Sequence, residues 1–326
     1  MARRATIRDV ARLAGVSTAT VSHVVNGTRC VNGDTRDRVL AAVGALGYSQ
    51  NTAARQLKTG RKYTIGFVVP DITNLFYASF VQRVSDFCLA RGYTLLLVDT
   101  LEQLVQEQAH LKALARHDLA GLILASTAER YADIAPLLPE VPTLLFDRQL
   151  EGCPLDCVRI DGYRAYHDAA ADMARKGHRR IGYLAGLGRL STSRERLRGF
   201  RDGLDAAGFP EEHRHVVPCD SIVDRTIGET LRLVEEGCTA IVASNRSMLV
   251  AAICALASRG VRIGEDVQLA GSAENTPLVP FTDRINLISQ PVGLVADFLS
   301  AAILQKIERP DAPLNIPRFT SVYEPL

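Results

Sequence analysis

The stretch TIRDVARLAGVSTATVSHVVN, residues 6–26, decides the fold of the N-terminal part of the chain. Thr6 and Asp9 have the spacing of a capping box, which marks the start of a helix. Gly15 can adopt the backbone angles of a sharp turn, and Ser17 can cap a second helix. These signals predict two short helices joined by a tight turn, which is a helix-turn-helix.

The second predicted helix has an apolar face and a face of short or polar side chains. Val21, Val24 and Val25 recur at helical spacing and would face inward. Because short side chains let a helix sink into the major groove, the opposite face indicates DNA binding. The residues on that outer face are Thr18, Ala19, Ser22 and His23. A third helix is predicted between Asn32, a plausible cap, and Gly47.

Charge is divided unevenly along the chain. Residues 1–62 contain 11 Lys and Arg against 3 Asp and Glu, whereas the remaining residues contain 27 against 33. The net charge of +2 therefore combines a basic head of +8 with an acidic body of −6. A basic head attracts DNA phosphates, and its affinity for DNA should fall as salt rises. A basic three-helix domain that binds another protein is the alternative.

The composition argues against several other classes of protein. The sequence has no run of 18 apolar residues and no signal-peptide core, so we expect a cytoplasmic protein without a membrane span. Seven scattered cysteines lack the spacing of a metal site, so we expect reduced thiols and no metal. The phosphate-binding loop and nucleophile elbow patterns are absent from the sequence, so we expect no enzyme, no catalytic residues and no cofactor. His213 and His215 are expected to be exposed loop residues.

A short linker is expected between the head, residues 1–49, and the body, residues 63–326. Residues 51–58 contain good helix formers but few apolar groups, so a helix there would be marginal alone. We expect it to fold when its twin in a dimer, DNA or both pack against it. Leu57, which has cations on both sides, suits insertion into a minor groove. A disordered tether at residues 50–62 is the alternative.

From Thr64 onward, short apolar runs alternate with longer amphipathic segments. Two successive sets of this pattern predict an α/β core with two doubly wound lobes of parallel sheet. Such lobes bind ligands beyond the carboxyl ends of their strands, so the pair predicts a cleft between them. The predicted strands are residues 64–70, 93–99, 121–126, 143–147, 180–186, 240–244 and 267–271. The predicted helices are residues 76–92, 104–117, 194–207, 223–236 and 247–259.

Aromatic and polar side chains follow the ends of these predicted strands. Singly, each is best explained as an ordinary loop or capping residue, but as a set they indicate a cleft for a small polar metabolite. The candidates are Asn74, Phe76, Tyr77, Ser126, Asp147, Asp161, Arg196, Asn245, Arg246 and Glu274. Arg148 and Arg194 lie close to them in the sequence.

The order of these parts resembles the LacI/GalR family of bacterial transcription regulators over essentially the whole chain. In the head and linker, the resemblance is carried by residues 6–27, 35–48 and 51–58. In the body, it is carried by IGFVVPDITNLFY at residues 65–77 and KGHRRIGYLAG at residues 176–186. The head is most similar to that of the purine repressors. The resemblance implies an all-α helix-turn-helix head and a two-lobed core like that of the periplasmic sugar-binding proteins.

The resemblance also implies a homodimeric repressor on a near-palindromic operator in double-stranded DNA, associated with the nucleoid when bound. A sugar, sugar acid or similar small metabolite in the cleft would set its affinity for DNA. The base-reading positions of the family correspond to Thr18, Ala19 and His23, and Leu57 corresponds to a leucine that enters the minor groove. The other candidate DNA-binding residues are Thr6, Ser17, Thr20, Ser22, Asn26, Asn51, Ala54 and Lys58.

Two departures from the family pattern bear on the ligand. The family commonly has Asn-Asp where this chain has Asn245-Arg246, and Gly-Phe-Asp-Asp where residues 271–274 read Gly-Ser-Ala-Glu. Arg196 matches the pocket arginine of the family. Because fewer carboxylates accompany this arginine here, we hypothesise that the effector is an anion such as a sugar acid. Alternatively, Arg246 pairs with an acid across the dimer.

Two other functions stay open at this point. The protein could be a metabolite-binding protein or enzyme that is tethered to DNA, or an activator with the same fold. The C-terminal residues lack the leucine heptads that some relatives use to form tetramers, which favours a dimer.

Overall fold

The computed structural model describes residues 5–26, 29–48, 62–220, 222–273 and 283–326. Its contacts separate two compact units, Met1–Tyr63 and Thr64–Leu326. Five of the candidate site residues lie outside the described residues: Asn51, Ala54, Leu57, Lys58 and Glu274.

The helices of the N-terminal unit are α1 (Ile7–Ala14), α2 (Thr18–Asn26) and α3 (Gly33–Ala45). The predicted capping box starts α1. The Asp9 amide donates to Thr6 Oγ1 at 3.4 Å, and the Thr6 amide donates to the Asp9 carboxylate at 3.0 Å. Gly15 follows with a φ of 66°, a conformation that favours glycine, and turns the chain toward α2. The predicted helix-turn-helix is confirmed in this unit.

The three helices of the head share a small apolar core. Val10, Val21 and Val39, one from each helix, are fully buried. The partly buried residues that pack against them include Val24, Val25, Val43 and Leu46. Because the apolar face of α2 is fixed against this core, Thr18 and Ala19 stay exposed to solvent.

The C-terminal unit contains two lobes of parallel sheet with helices packed on them, as predicted. The strands of the first lobe are β1 (Thr64–Val69), β2 (Thr94–Asp99), β3 (Leu119–Leu124), β4 (Thr143–Phe146) and β5 (Cys157–Val158). They pair in parallel in the order β2-β1-β3-β4-β5. Helices α4 (Leu75–Ala90) and α5 (Leu104–Leu114) connect successive strands.

The second lobe repeats this arrangement. Its strands are β7 (Ile181–Ala185), β8 (Arg214–Pro218), β9 (Ala240–Ala243), β10 (Gln268–Ser272), β11 (Ile285–Ser289) and β13 (Val322–Glu324). Their order is β13-β11-β10-β9-β7-β8, and β13 pairs antiparallel to β11. The helices of this lobe are α6 (Tyr163–Arg175), α7 (Ser191–Ala206), α8 (Val223–Glu235) and α9 (Arg246–Ser258).

The chain passes between the lobes through short segments. Strands β6 (Ile160–Asp161) and β12 (Phe319–Thr320) pair in parallel at one such passage. Helix α10 (Val292–Glu308) follows β11 in sequence, but its apolar residues belong to the core of the first lobe. Further one-turn helices lie at Tyr131–Asp133, Ala135–Leu137 and Glu211–His213.

Helices α6 and α10 and strands β8 and β11 were not among the predicted elements. The prediction that His215 is an exposed loop residue is wrong, because it lies in β8 with its Nδ1 3.0 Å from Glu236 Oε2. Strand β8 is an edge strand with few apolar residues, so its sequence carries little periodic signal. His213 lies in the one-turn helix before it.

Two glycines let α6 and α7 pack closely in the second lobe. A Cβ atom on Gly199 would lie 2.3 Å from the Tyr163 carbonyl oxygen, and one on Gly203 would lie 2.2 Å from that of His167. Atoms cannot approach so closely, so any side chain at either position must push the helix backbones apart.

We predict that Gly203→Ala lowers the free energy of unfolding by about 1–3 kcal/mol, because the added methyl group overpacks the α6–α7 contact. Gly228→Ala is the matched control, since Gly228 is an exposed helical glycine with nothing within 4 Å of its would-be Cβ. That change should be neutral or stabilise by about 0.5–1 kcal/mol. Urea denaturation of both variants measures the difference, and equal stability would contradict the close packing.

Candidate functional site

A cleft between the two lobes gathers the polar ends of both sheets. It encloses about 80 Å³. The first lobe contributes Asp71, Asn74, Phe76, Tyr77, Glu102, Asp147 and Arg148 to its lining. The second lobe and its connections contribute Leu190, Thr192, Ser193, Arg196, Ser244, Asn245, Arg246, Ser247, Ser272 and Gln290. The lining is polar and charged, with an aromatic wall on one side.

Most of the candidate effector residues meet in this cleft. Those that line it are Asn74, Phe76, Tyr77, Asp147, Arg196, Asn245 and Arg246. Ser126 is fully buried behind the cleft wall, where its hydroxyl donates to Glu107 at 2.5 Å. Asp161 lies apart from the lining residues, beside β12, and accepts a hydrogen bond from Arg318 at 2.5 Å. Ser126 follows β3 and Asp161 ends β6, but the side chains of both are engaged by neighbouring elements.

Two of the polar lining residues also cap helices. Asn74 caps α4, because its Oδ1 accepts from the Phe76 amide at 3.1 Å. Asn245 caps α9 in the same way, accepting from the Met248 amide at 3.0 Å. The N-termini of both helices therefore point toward the cleft, and a helix N-terminus favours negative charge.

An aromatic wall backs the cleft in the first lobe. The rings of Phe76 and Phe146 stack with centroids 6.0 Å apart, and Phe80 lies 4.4 Å from Phe146. Tyr77 donates from its hydroxyl to Asp147 at 2.7 Å. Burial raises the pKa of Tyr77 well above its ordinary value, so the phenol remains a hydrogen-bond donor. This contact fixes the Asp147 carboxylate at the edge of the wall.

Arg148 and Glu102 form a short, bidentate ion pair in the lining. Arg148 donates to both Glu102 oxygens, at 2.6 and 2.9 Å, and to the Ser126 carbonyl at 3.2 Å. Its Nε lies 3.7 Å from Asp147 Oδ2. Burial alone would lower the pKa of Arg148, but its electrostatic interactions with Tyr77, Glu102 and Asp147 and its hydrogen bonds to Glu102 outweigh this and raise the pKa. Arg148 therefore stays protonated within the wall.

The backbone at this ion pair is strained. Leu101 and Glu102 have φ values of 51° and 57°, and Asp147 has 65°. Residues with a side chain rarely adopt this left-handed region, which costs about 1–3 kcal/mol per residue. Strained residues concentrate at binding sites, because the surrounding contacts hold them there for their side-chain positions.

Arg196 contributes positive charge from the second lobe. It donates to the Ser244 carbonyl at 2.8 Å and lies 5.7 Å from the centre of the Tyr166 ring. Among the described residues, it makes no ion pair with a carboxylate. A guanidinium has five donors, so Arg196 retains hydrogen-bonding capacity toward the cleft.

Further acceptors and hydroxyls line the second-lobe side. Gln290 donates from Nε2 to Ser272 Oγ at 3.2 Å, and its buried Oε1 has no hydrogen-bond partner among the described residues. Ser244 and Ser247 flank Arg246, whose side chain is buried. Glu102, Ser244, Ser272 and Gln290 were not predicted to belong to the site, because the sequence pattern around each one is that of an ordinary loop or strand end.

Polar contacts also join the lobes at the mouth of the cleft. Arg189 donates to the carbonyls of Glu102 and Thr127, at 3.1 and 3.3 Å. Arg194 donates to Glu129 Oε1 at 3.1 Å. Both arginines belong to the second lobe and their acceptors to the first. These contacts hold the two walls of the cleft against each other.

In the head, the outer face of α2 is accessible. Ser17, Thr18 and Ala19 are exposed, whereas Ser22 and His23 are partly buried. The Ser17 hydroxyl accepts from the Thr20 amide at 3.0 Å, which caps α2. Thr6 caps α1, and the side chain of Asn26 lies outside the described residues.

The described residues contain neither a candidate metal site nor a helix that could span a membrane. No group of three or more His, Cys, Asp or Glu side chains among them could hold a metal ion. No helix in the described part of the chain has the length and apolar character to cross a membrane. The seven cysteines are free thiols.

Comparisons with known proteins match both units. Residues 6–51 match the model for bacterial regulatory proteins of the lacI family. Residues 62–280 match the model for periplasmic binding proteins and the sugar-binding domain of the LacI family. Together these matches span the head and most of the two-lobed core.

Curated relatives cover nearly the whole chain. An HTH-type transcriptional repressor PurR from Photobacterium profundum is 34% identical over 88% of this chain and 87% of its own length. One from Vibrio atlanticus is 29% identical over 94% of this chain and 93% of its own length. These relatives are transcriptional repressors rather than enzymes.

Solved structures share the fold. The lac repressor dimer bound to operator and an anti-inducer has a TM-score of 0.80 at 22% identity, covering 99% of this chain and 98% of that one. The transcriptional regulator CelR in complex with cellobiose has a TM-score of 0.69 at 26% identity, covering 99% of this chain and 100% of that one. The helix-turn-helix head, the two-lobed core and the relatives agree, and the chain belongs to the LacI family of bacterial regulatory proteins.

Proposed function

We propose that the protein is a repressor that binds a near-palindromic operator as a homodimer and responds to a small metabolite in its cleft. The observation that carries the proposal is that one chain joins a helix-turn-helix with an exposed reading face to a cleft lined from two lobes. The PurR relatives, which are named repressors, support regulation over catalysis.

In this proposal, α2 enters the major groove of DNA. Thr18, Ala19 and His23 read base edges, and short side chains at the start of α2 allow the backbone to approach. The basic head supplies phosphate contacts that carry no sequence information. Neighbouring residues would contact phosphates or position the helix in the groove. The candidates are Thr6, Ser17, Thr20, Ser22 and Asn26.

The linker, residues 50–62, connects the cleft to DNA binding. A helix over residues 51–58 has too few apolar groups to be stable alone, so it needs its twin and the DNA. Ligand binding that changes the separation of the two linkers of a dimer would then decide whether they fold. Ala54 pairs the linkers, Leu57 enters the minor groove, and Asn51 and Lys58 flank the DNA.

A small polar acid is the ligand class that the cleft favours. Arg196 makes no ion pair with a carboxylate among the described residues, and two helix N-termini point toward the cleft. Arg246 and Ala273 stand where the family commonly has carboxylates. Solved relatives include complexes with the neutral sugars cellobiose and ribose, so neutral sugars are the comparison class.

We predict that Arg196→Met weakens the binding of a cleft-binding acid by about 10-fold or more, because the lost contact is a charge-assisted hydrogen bond. Calorimetric titration with paired neutral sugars and sugar acids identifies the acid and measures the change. Arg198→Met is the matched control, because Arg198 stacks on Tyr163 rather than lining the cleft. Tight binding of neutral sugars alone would contradict the acid class.

We predict that His23→Ala changes the selected DNA consensus while leaving salt-dependent, non-specific binding nearly intact, because the side chain reads a base rather than a phosphate. Selection from a random duplex library compares the two proteins. The same consensus from both would refute the base-reading role.

We predict that Leu57→Ala weakens binding to the selected consensus by about 10-fold or more and reduces DNA bending, because the apolar wedge is lost. Gel-shift assays on the consensus and on a scrambled duplex measure the effect. An equal loss on both duplexes would argue against insertion at a specific step.

A further inference from the structure

We infer that Glu102 sets the charge of the ligand that the cleft accepts, by acting as the built-in counterion of Arg148. The inference rests on the proposed function, because it concerns the same cleft. It assigns Glu102 as a specificity-determining residue and narrows the ligand class to a monoanion with hydroxyl groups.

The geometry of the pair is that of a bidentate ion pair made through the two terminal nitrogens of the Arg148 guanidinium. Both terminal nitrogens of Arg148 donate to the two carboxylate oxygens of Glu102, at 2.6 and 2.9 Å. One of them also donates to the Ser126 carbonyl at 3.2 Å. The Arg148 side chain is 8% exposed, and that of Glu102 is 25% exposed. A bidentate, largely buried pair of this kind occupies the face of Arg148 that an anionic ligand would use.

Glu102 is held in this position from several directions. The Glu102 amide donates to the Pro70 carbonyl at 2.6 Å, which fixes the left-handed backbone of the loop. From the second lobe, Arg189 donates to the Glu102 carbonyl at 3.1 Å, and its guanidinium lies 3.9 Å from the carboxylate. Glu102 therefore faces an arginine from each lobe, and a ligand anion cannot take its place without disturbing both.

The charged residues of the lining then determine which charge a ligand must carry. Three arginines and three acids line the cleft, and Glu102 is the acid bound to Arg148. Arg196, on the opposite wall, has no carboxylate partner among the described residues. One anionic group on the ligand matches Arg196, and the Asp147 carboxylate can accept from hydroxyl groups. A second negative charge, as on a phosphate ester, would meet Glu102 and be repelled.

Sulfate tests this inference without knowledge of the natural ligand, since it is a small dianion. Its affinity for the full-length protein is measured by calorimetry at constant ionic strength, with formate as the monoanion and without DNA. Glu102→Gln should bind sulfate at least about 10-fold more tightly than the unmodified protein, because Arg148 loses its counterion. The same substitution should change the affinity for formate by less than about 10-fold.

Glu129→Gln is the matched control. It removes the same charge from the same lobe, and Glu129 also faces a second-lobe arginine, but it does not line the cleft. Its sulfate affinity should equal that of the unmodified protein. An equal gain in both variants, or no gain in Glu102→Gln, would overturn the inference.

A second variant keeps the test decisive if Glu102→Gln does not fold. Arg148→Met removes the bidentate partner of Glu102 and leaves its carboxylate with only Arg189, 3.9 Å away, so sulfate affinity should fall below that of the unmodified protein. Unchanged or tighter sulfate binding would contradict the assignment. Because DNA is absent from these measurements, the outcome is independent of whether the ligand controls operator binding.

Discussion

The site depends on the requirement that buried charges find partners. Parallel strands present their carboxyl ends at one edge of a sheet, and here the edges of two sheets face each other across a cleft. On the first lobe, Tyr77 donates to Asp147, and Arg148 forms a bidentate ion pair with Glu102. Arg196 on the second lobe is bound to a carbonyl oxygen, which leaves donors for a ligand. In the proposed mechanism, a ligand that complements Arg196 bridges the lobes, and its binding energy acts on their relative position.

In the proposed mechanism, that energy reaches DNA through the linker. The head has a core of its own, which includes Val10, Val21 and Val39. Residues 51–58 contain few apolar side chains, so the proposal expects a helix there to fold only when its twin or DNA packs against it. A segment near its folding midpoint converts a modest change in spacing into a large change in DNA affinity.

Local signals predicted the head and most of the sheets. The capping box at Thr6 and the turn at Gly15 involve residues close in sequence, and apolar runs marked the central strands. Helix α10 is apolar around most of its circumference, so it lacks the periodicity that identifies amphipathic helices. Glu102 could not be predicted as part of the site, because its role depends on Arg148, 46 residues away, and on a strained loop.

The most direct test of the account is reciprocity between the cleft and DNA. Once the calorimetric panel has identified the cleft ligand, operator affinity is measured with and without it, and ligand affinity is measured with and without operator. The account predicts that both affinities change by the same factor, whichever its direction. Tight ligand binding in the cleft that leaves operator affinity unchanged would contradict it.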